Sequence, residues 1–403
     1  MGREFEVEGT VTPGYESVRD RFARNWEDFD EVGAAYALYV DGEKVVDIWS
    51  GTLDRDTDEP YVADTLQLVF SATKGATAAC AALLADRGEL DVDLPVAHYW
   101  PEFAQAGKER IPVRYLLSHK AGLPTFEGAL TAEEMLAWDP VIRRLEESAP
   151  VWEPGARHGY HAITYGYLVG EVVRRISGKS LGTFFRNEFA EPLGLEFWIG
   201  LPEEHFSRVA PLVDQFGSET AGDPEAAAEM SKMMSETLLG RALTMNGAMN
   251  GLDGGINAPA AWSAEIPAAN GVTNARSLAR LYASLIGGVQ DGPSEPLISR
   301  VQIDKARTRQ TEGLDAVLAI PGLLEVETPF ALGFWVNGGT SPFGGASGSF
   351  GHPGAGGSLG YGDPDRGIAG GYVMNRMSQG VAGDSRSVGL IEASYKAAGR
   401  SLN

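Results

Sequence analysis

The chain has 403 residues, 43% of them hydrophobic and 22% charged, enough for one large folded body with a substantial core. Lys and Arg number 33 against 55 Asp and Glu, a formal charge of -22; such a surface repels phosphate backbones and anionic lipid, so nucleic acid and membrane surfaces are excluded as expected partners. A single cysteine, Cys80, leaves no intramolecular disulfide and no cysteine-based metal cluster.

The first residues, MGREFEVEGTVTPG, lack the basic-then-apolar pattern of a leader, and no apolar run approaches the roughly 18 residues that span a bilayer. A cytoplasmic protein is expected. Residues 15–30 place Val18, Phe22 and Trp26 at helical spacing. AAYALYV, Asp41-Gly42 and EKVVDIWSG predict a β-hairpin, because Asp-Gly supplies the positive φ of a tight turn. An Ala-rich helix is expected over 71–87, then helices over 112–118, 132–147, 161–177, 180–188, 225–240 and 274–288. The remainder is strand-like and Gly-rich: ALGFWVNGG, GSFGHPGAGGSLGYG and GIAGGYVMN, with a helix over 386–399. Strands at both ends and helices between them predict an α+β fold. In it, 1–70 and 260–403 build one antiparallel sheet domain, and 71–259 form a mostly helical insertion. A cleft between the two parts is the natural place for a site.

Phe70-Ser71-Ala72-Thr73-Lys74 carries the strongest local chemistry. Ser71 and Lys74, three apart at a helix start, share a face. Positive backbone potential there favours a developing alkoxide on Ser71, and with burial it favours a neutral, proton-accepting Lys74. Taken alone, Ser71 is better explained as a helix cap. Further on stand Tyr160-His161-Ala162, after a WEPG turn, and His352-Pro353-Gly354 in the Gly-rich region.

These three separated elements, in this order, resemble the S-x-x-K, Y-x-N and K-T-G elements of the serine β-lactamase and penicillin-binding protein superfamily. LLSHKAGLP, EPLGL and ALGFW match as well, so the likeness runs from about residue 30 to 400. The sequence is most similar to the class C-like branch and its carboxylesterases, the family VIII esterases. That resemblance implies a β-lactamase/transpeptidase-like fold and Ser71 as the acyl-forming nucleophile. It also implies shared general-base work for Lys74 and Tyr160, with Tyr160 as a phenolate. The backbone N–H groups of Ser71 and Ala355 would form the oxyanion hole, and His352, Gly354 and His161 would lie on the substrate side. No cofactor or metal is implied, and the expected partner is a small-molecule ester.

Two departures bear on substrate. Ala162 stands where the lactamases place an amide-recognising Asn, and His352 where they place a carboxylate-anchoring Lys. Both point away from β-lactams and D-amino-acid peptides towards short-chain esters. An acyltransferase would share every catalytic residue. A β-lactamase or D-amino-acid peptidase is a second rival, and a non-catalytic binding module a third.

Some patterns are set aside. Gly356-Gly357-Ser358-Leu359-Gly360 fits G-x-S-x-G but runs into another strand, not a helix. Gly178-Lys179-Ser180 lacks the upstream glycine of a phosphate loop and reads as a helix stop. The six histidines include no H-E-x-x-H. Met230, Met233, Met234, Met245 and Met249 suit either helix packing or an adaptable pocket entrance, and Cys80 suits a small buried filler.

Overall fold

The computed structural model describes residues 6–214, 236–293, 295–320, 324–343, 345–378 and 384–402. Met230, Met233 and Met234, and most of the helix expected over 225–240, lie outside the described residues.

Among these residues the main sheet has seven strands: β1 (Glu8–Val11), β2 (Gly33–Val40), β3 (Glu43–Gly51), β7 (Trp335–Val336), β8 (Phe350–Pro353), β9 (Leu359–Asp363) and β10 (Ile368–Met374). Their order is β1-β3-β2-β10-β9-β8-β7, with every pairing antiparallel. The join between the two ends of the chain is the β2–β10 pairing, in which Tyr36 faces Tyr372 and Ala34 faces Met374. A three-stranded second sheet, β4 (Gln67–Leu68), β6 (Val272–Thr273) and β5 (Phe197–Trp198), ties the segment before Ser71 to the helical region.

Helices cover both faces of the main sheet. Helices α1 (Glu16–Asp28) and α5 (Ser385–Ala397) pack together on one side. There the Tyr36 hydroxyl meets Ser394 Oγ at 2.8 Å and the Tyr361 hydroxyl at 3.0 Å. Helix α4 (Ala275–Ile286) crosses β2, β9 and β10 on the other. Burial on both faces is why β10 is apolar throughout instead of alternating. Helices α2 (Thr73–Asp86) and α3 (Thr164–Ser177) pack against each other within the helical part. Helix α2 shows almost no polar face, twelve of its residues being buried, as expected of a helix enclosed on all sides. Cys80 is buried on it.

Several elements differ from the sequence reading. The helix expected over 132–147 is two, Ala132–Leu136 and Asp139–Glu147. Pro140 cannot donate to a carbonyl one turn back, and Trp138 turns the chain at φ 64 with its indole N–H on Glu171 at 3.0 Å. The helix expected from residue 161 starts at Thr164, and the strand expected over ALGFWVNGG shrinks to Trp335–Val336. The Gly-rich run expected as one strand is divided by a tight turn over Ala355–Gly357. Strand β1 and the second sheet were not expected, because two- to four-residue strands show no periodicity of their own. No helix of the described residues is long and apolar enough to cross a membrane.

The hairpin turn behaves as its residues dictate, with Asp41 at φ 50 and Gly42 at φ 84. A Cβ on Gly42 would also collide with the carbonyl oxygen of Gly288. Gly42→Ala should therefore destabilise the fold by about 1–2 kcal/mol, seen as a lower chemical-denaturation midpoint at unchanged slope.

Candidate active site

The residue before Ser71 is strained. Phe70 sits at φ 43, a left-handed conformation that a bulky side chain avoids unless its surroundings impose it. Here Thr73 holds it: the Thr73 hydroxyl donates to Phe70 O at 2.5 Å and accepts the Gly271 N–H at 2.8 Å. The chain thus leaves β4 and turns sharply into α2, presenting half-buried Ser71 just ahead of the first helical turn. Ser71 is not the cap; Ala72 holds that position and no side chain caps the helix.

Lys74 follows one turn later with its side chain fully buried. Its Nζ lies 2.9 Å from Ser71 Oγ, 2.7 Å from Ala162 O and 2.9 Å from Ala268 O. No carboxylate pairs with it among the described residues, and burial pushes its pKa well below the ordinary lysine range. A neutral amine has two N–H donors and one lone pair. The two carbonyls satisfy both donors, which leaves the lone pair for the Ser71 hydroxyl proton.

Tyr160 approaches from the other side, its hydroxyl donating to Ser71 Oγ at 2.7 Å. It lies in the loop before α3, stacked on Phe330 at 5.9 Å and tilted against His119 at 5.3 Å, with Lys74 Nζ 4.8 Å from its ring centre. Burial pushes the phenol's pKa up, the Ser71 bond offsets part of that, and the charge of Asp315 adds to the rise. That direction runs against the resting phenolate expected from the resemblance.

The third element arrives on β8. His352 is buried, its ring 6.1 Å from Tyr160 and 5.8 Å from Trp335. Its Nδ1–H donates to Pro353 O at 2.7 Å, which fixes the tautomer and leaves Nε2 as an acceptor without a partner among the described residues. Burial, then the neighbouring Lys74, push its pKa down to about 3, so it is neutral. Gly354 is where β8 runs against the nucleophile segment; a Cβ there would collide with Val69 O and Ser358 Oγ. Ser358, the serine of the rejected G-x-S-x-G match, is buried and donates to Val69 O at 2.9 Å. It fastens the turn carrying Ala355, which is partly exposed, to the chain two residues before Ser71.

His161, expected on the substrate side, is not free to serve there. It is wholly buried, accepting the Leu123 N–H on Nε2 at 2.9 Å and reaching Gly159 O through Nδ1 at 2.7 Å. Both ring nitrogens are spent on the backbone, and burial lowers its pKa to about 4. Ala162 contributes its carbonyl, to Lys74, so the alanine removes an amide side chain without losing that contact. Sequence reasoning missed Ala268, whose carbonyl is the second clamp on Lys74, and Asp315, which accepts the Tyr160 N–H at 3.0 Å. Neither lies in a motif, and both come from loops more than a hundred residues away from the group they hold. Gly178 does end α3, at φ 70.

A serine–lysine–tyrosine cluster on this sheet-and-helix frame defines a serine hydrolase of β-lactamase/transpeptidase type. The chain belongs to the beta-lactamase family, whose profile matches residues 18–393. It is 36% identical over 377 residues to the esterase/beta-lactamase LipL of Mycobacterium tuberculosis, covering 92% of this chain and 83% of that protein. Among solved structures, a penicillin-binding protein homologue from Caulobacter crescentus superposes with a TM-score of 0.84 at 38% identity, over 97% of this chain and 100% of that one. A family VIII carboxylesterase gives a TM-score of 0.84 at 35% identity, over the same shares.

The amine must be neutral to accept a proton, so activity should rise with pH through the pKa of Lys74 and then level off. Because burial lowers that pKa, turnover of a chromogenic ester should reach its plateau below the ordinary lysine pKa of about 10.4. His352→Gln should leave the position of that rise unmoved, because the ring is already neutral throughout.

Proposed function

We propose that this protein is a carboxylesterase that hydrolyses short-chain esters through an acyl-enzyme on Ser71. The observation that carries this reading is the double contact on one oxygen: Ser71 Oγ lies 2.9 Å from Lys74 Nζ and 2.7 Å from the Tyr160 hydroxyl. One neighbour is prepared to accept a proton and the other to give one, the pairing that nucleophilic catalysis on an ester requires.

Lys74 takes the Ser71 proton as Oγ bonds to the ester carbonyl carbon. The oxyanion is met by the backbone N–H groups of Ser71 and Ala355. The carbon–alkoxide bond then breaks, and the alcohol leaves with the Tyr160 proton, which the Lys74 ammonium replaces. Water attacks the acyl carbon by the reverse assignment, releasing the acid and returning the proton to Ser71.

Two features favour esters over β-lactams and D-amino-acid peptides. Position 162 offers only a carbonyl, already engaged by Lys74, where amide recognition would need a free side-chain amide. The neutral, buried His352 supplies no charge for a substrate carboxylate; its bare Nε2 suits a hydroxyl or N–H donor instead. The name of the similar family VIII carboxylesterase agrees with this choice, while that of the esterase/beta-lactamase LipL spans both substrate classes.

Intact-mass spectrometry during p-nitrophenyl butyrate turnover should show a butyryl adduct and a nitrophenol burst in the wild type. Ser71→Ala should show neither and should lose at least about 10³-fold in rate. Release without an adduct, or undiminished release from Ser71→Ala, would overturn the reading. Efficient turnover of nitrocefin beside feeble ester hydrolysis would move the substrate class to β-lactams.

A further inference from the structure

Asp315 is wholly buried and has no ion-pair partner among the described residues. Its Oδ1 accepts three backbone N–H groups: Tyr160 at 3.0 Å, Val317 at 2.8 Å and Leu318 at 2.9 Å. Its Oδ2 accepts the Thr328 hydroxyl at 2.6 Å, and Thr328 Oγ1 in turn stands 3.1 Å from His158 Nε2. Four donors converge on the group, which lies one hydrogen bond from the main chain of Tyr160.

The titratable groups around the phenol carry little charge of their own. His119 and His352, 5.3 Å and 6.1 Å from the Tyr160 ring, are both held neutral by burial. Tyr165, nearby, is kept protonated, and Lys74 is driven towards its neutral amine. Lys120, Arg309 and Glu327 act further out, around His158.

We infer that Asp315 is the positioning residue of Tyr160: by taking the N–H groups of Tyr160, Val317 and Leu318 on one oxygen, its carboxylate fixes the main chain that aims the phenol at Ser71. Asp315 touches neither substrate nor the reacting atoms, and it acts only through Tyr160. This inference rests on the esterase reading for its catalytic meaning, but not for its test.

Tyr160→3-fluorotyrosine places a fluorine on this one ring, and its resonance reports where the ring sits without turnover. Asp315→Ala removes the acceptor of the Tyr160 N–H, while Asp315→Asn keeps an oxygen there. The fluorine resonance should shift or broaden in Asp315→Ala and stay at the parent position in Asp315→Asn. With tyrosine restored, Asp315→Ala should lose about tenfold in kcat while KM stays within about twofold, and Asp315→Asn should recover most of that loss. Asp315→Ser repeats the comparison should the Ala variant not fold. An unmoved resonance and an undiminished kcat in a folded variant that lacks the acceptor would overturn the inference. A missing acyl adduct on Ser71 would instead sink the esterase reading and leave the fluorine result standing.

Discussion

An amine buried without a counter-ion is the constraint around which this site is built. A charged lysine in that position would have to lose its hydration with no carboxylate in return, at a cost of several kcal/mol. The chain resolves this by offering Nζ two carbonyls, Ala162 O and Ala268 O, and one hydroxyl, a set that suits the neutral form. Under the proposed mechanism, removal of the charge is what lets this amine, 2.9 Å from Ser71 Oγ, take a proton.

The rest of the structure fixes where those acceptors stand. Ala162 is set by the loop before α3 and Ala268 by the loop before β6, while Lys74 rides on α2. The second sheet aligns these pieces: β4 leads into Ser71, β6 follows Ala268, and the two pair through Leu68–Val272 and Gln67–Thr273. Strained Phe70 stores part of the cost of that alignment at the point where the chain must change direction. Tyr160 is governed in the opposite sense to Lys74: burial and a nearby negative charge both hold its proton in place. Two titratable neighbours of one oxygen are thus pushed apart, one towards acceptor and one towards donor.

Much of this was legible in residue order. Ser71 and Lys74 at helical spacing, the Tyr160 and His352 elements in sequence, the Asp41-Gly42 hairpin and the helix-ending Gly178 all follow from local rules acting over a few residues. The errors have equally local causes. One residue, Pro140, splits a helix whose apolar spacing continues across the break. His161 sits beside a reactive tyrosine in sequence, yet its ring is turned into the backbone of Leu123 and Gly159. Motif adjacency gives no side-chain direction.

The sequence by itself determined the α+β class, the sheet contributed by both ends, the serine and lysine on one helical face, and the loss of an amide and a cation at positions 162 and 352. Those are properties of residue type and spacing. Only the tertiary structure decided which protonation states the site holds, because these depend on how completely each group is desolvated and which atoms face it. That Lys74 meets carbonyls and no carboxylate, that His352 presents a bare Nε2, and that Asp315 lies behind Tyr160 are all contacts between segments distant in the chain. No local pattern encodes them, since hydrogen-bond geometry between distant loops exists only once the chain has closed around it.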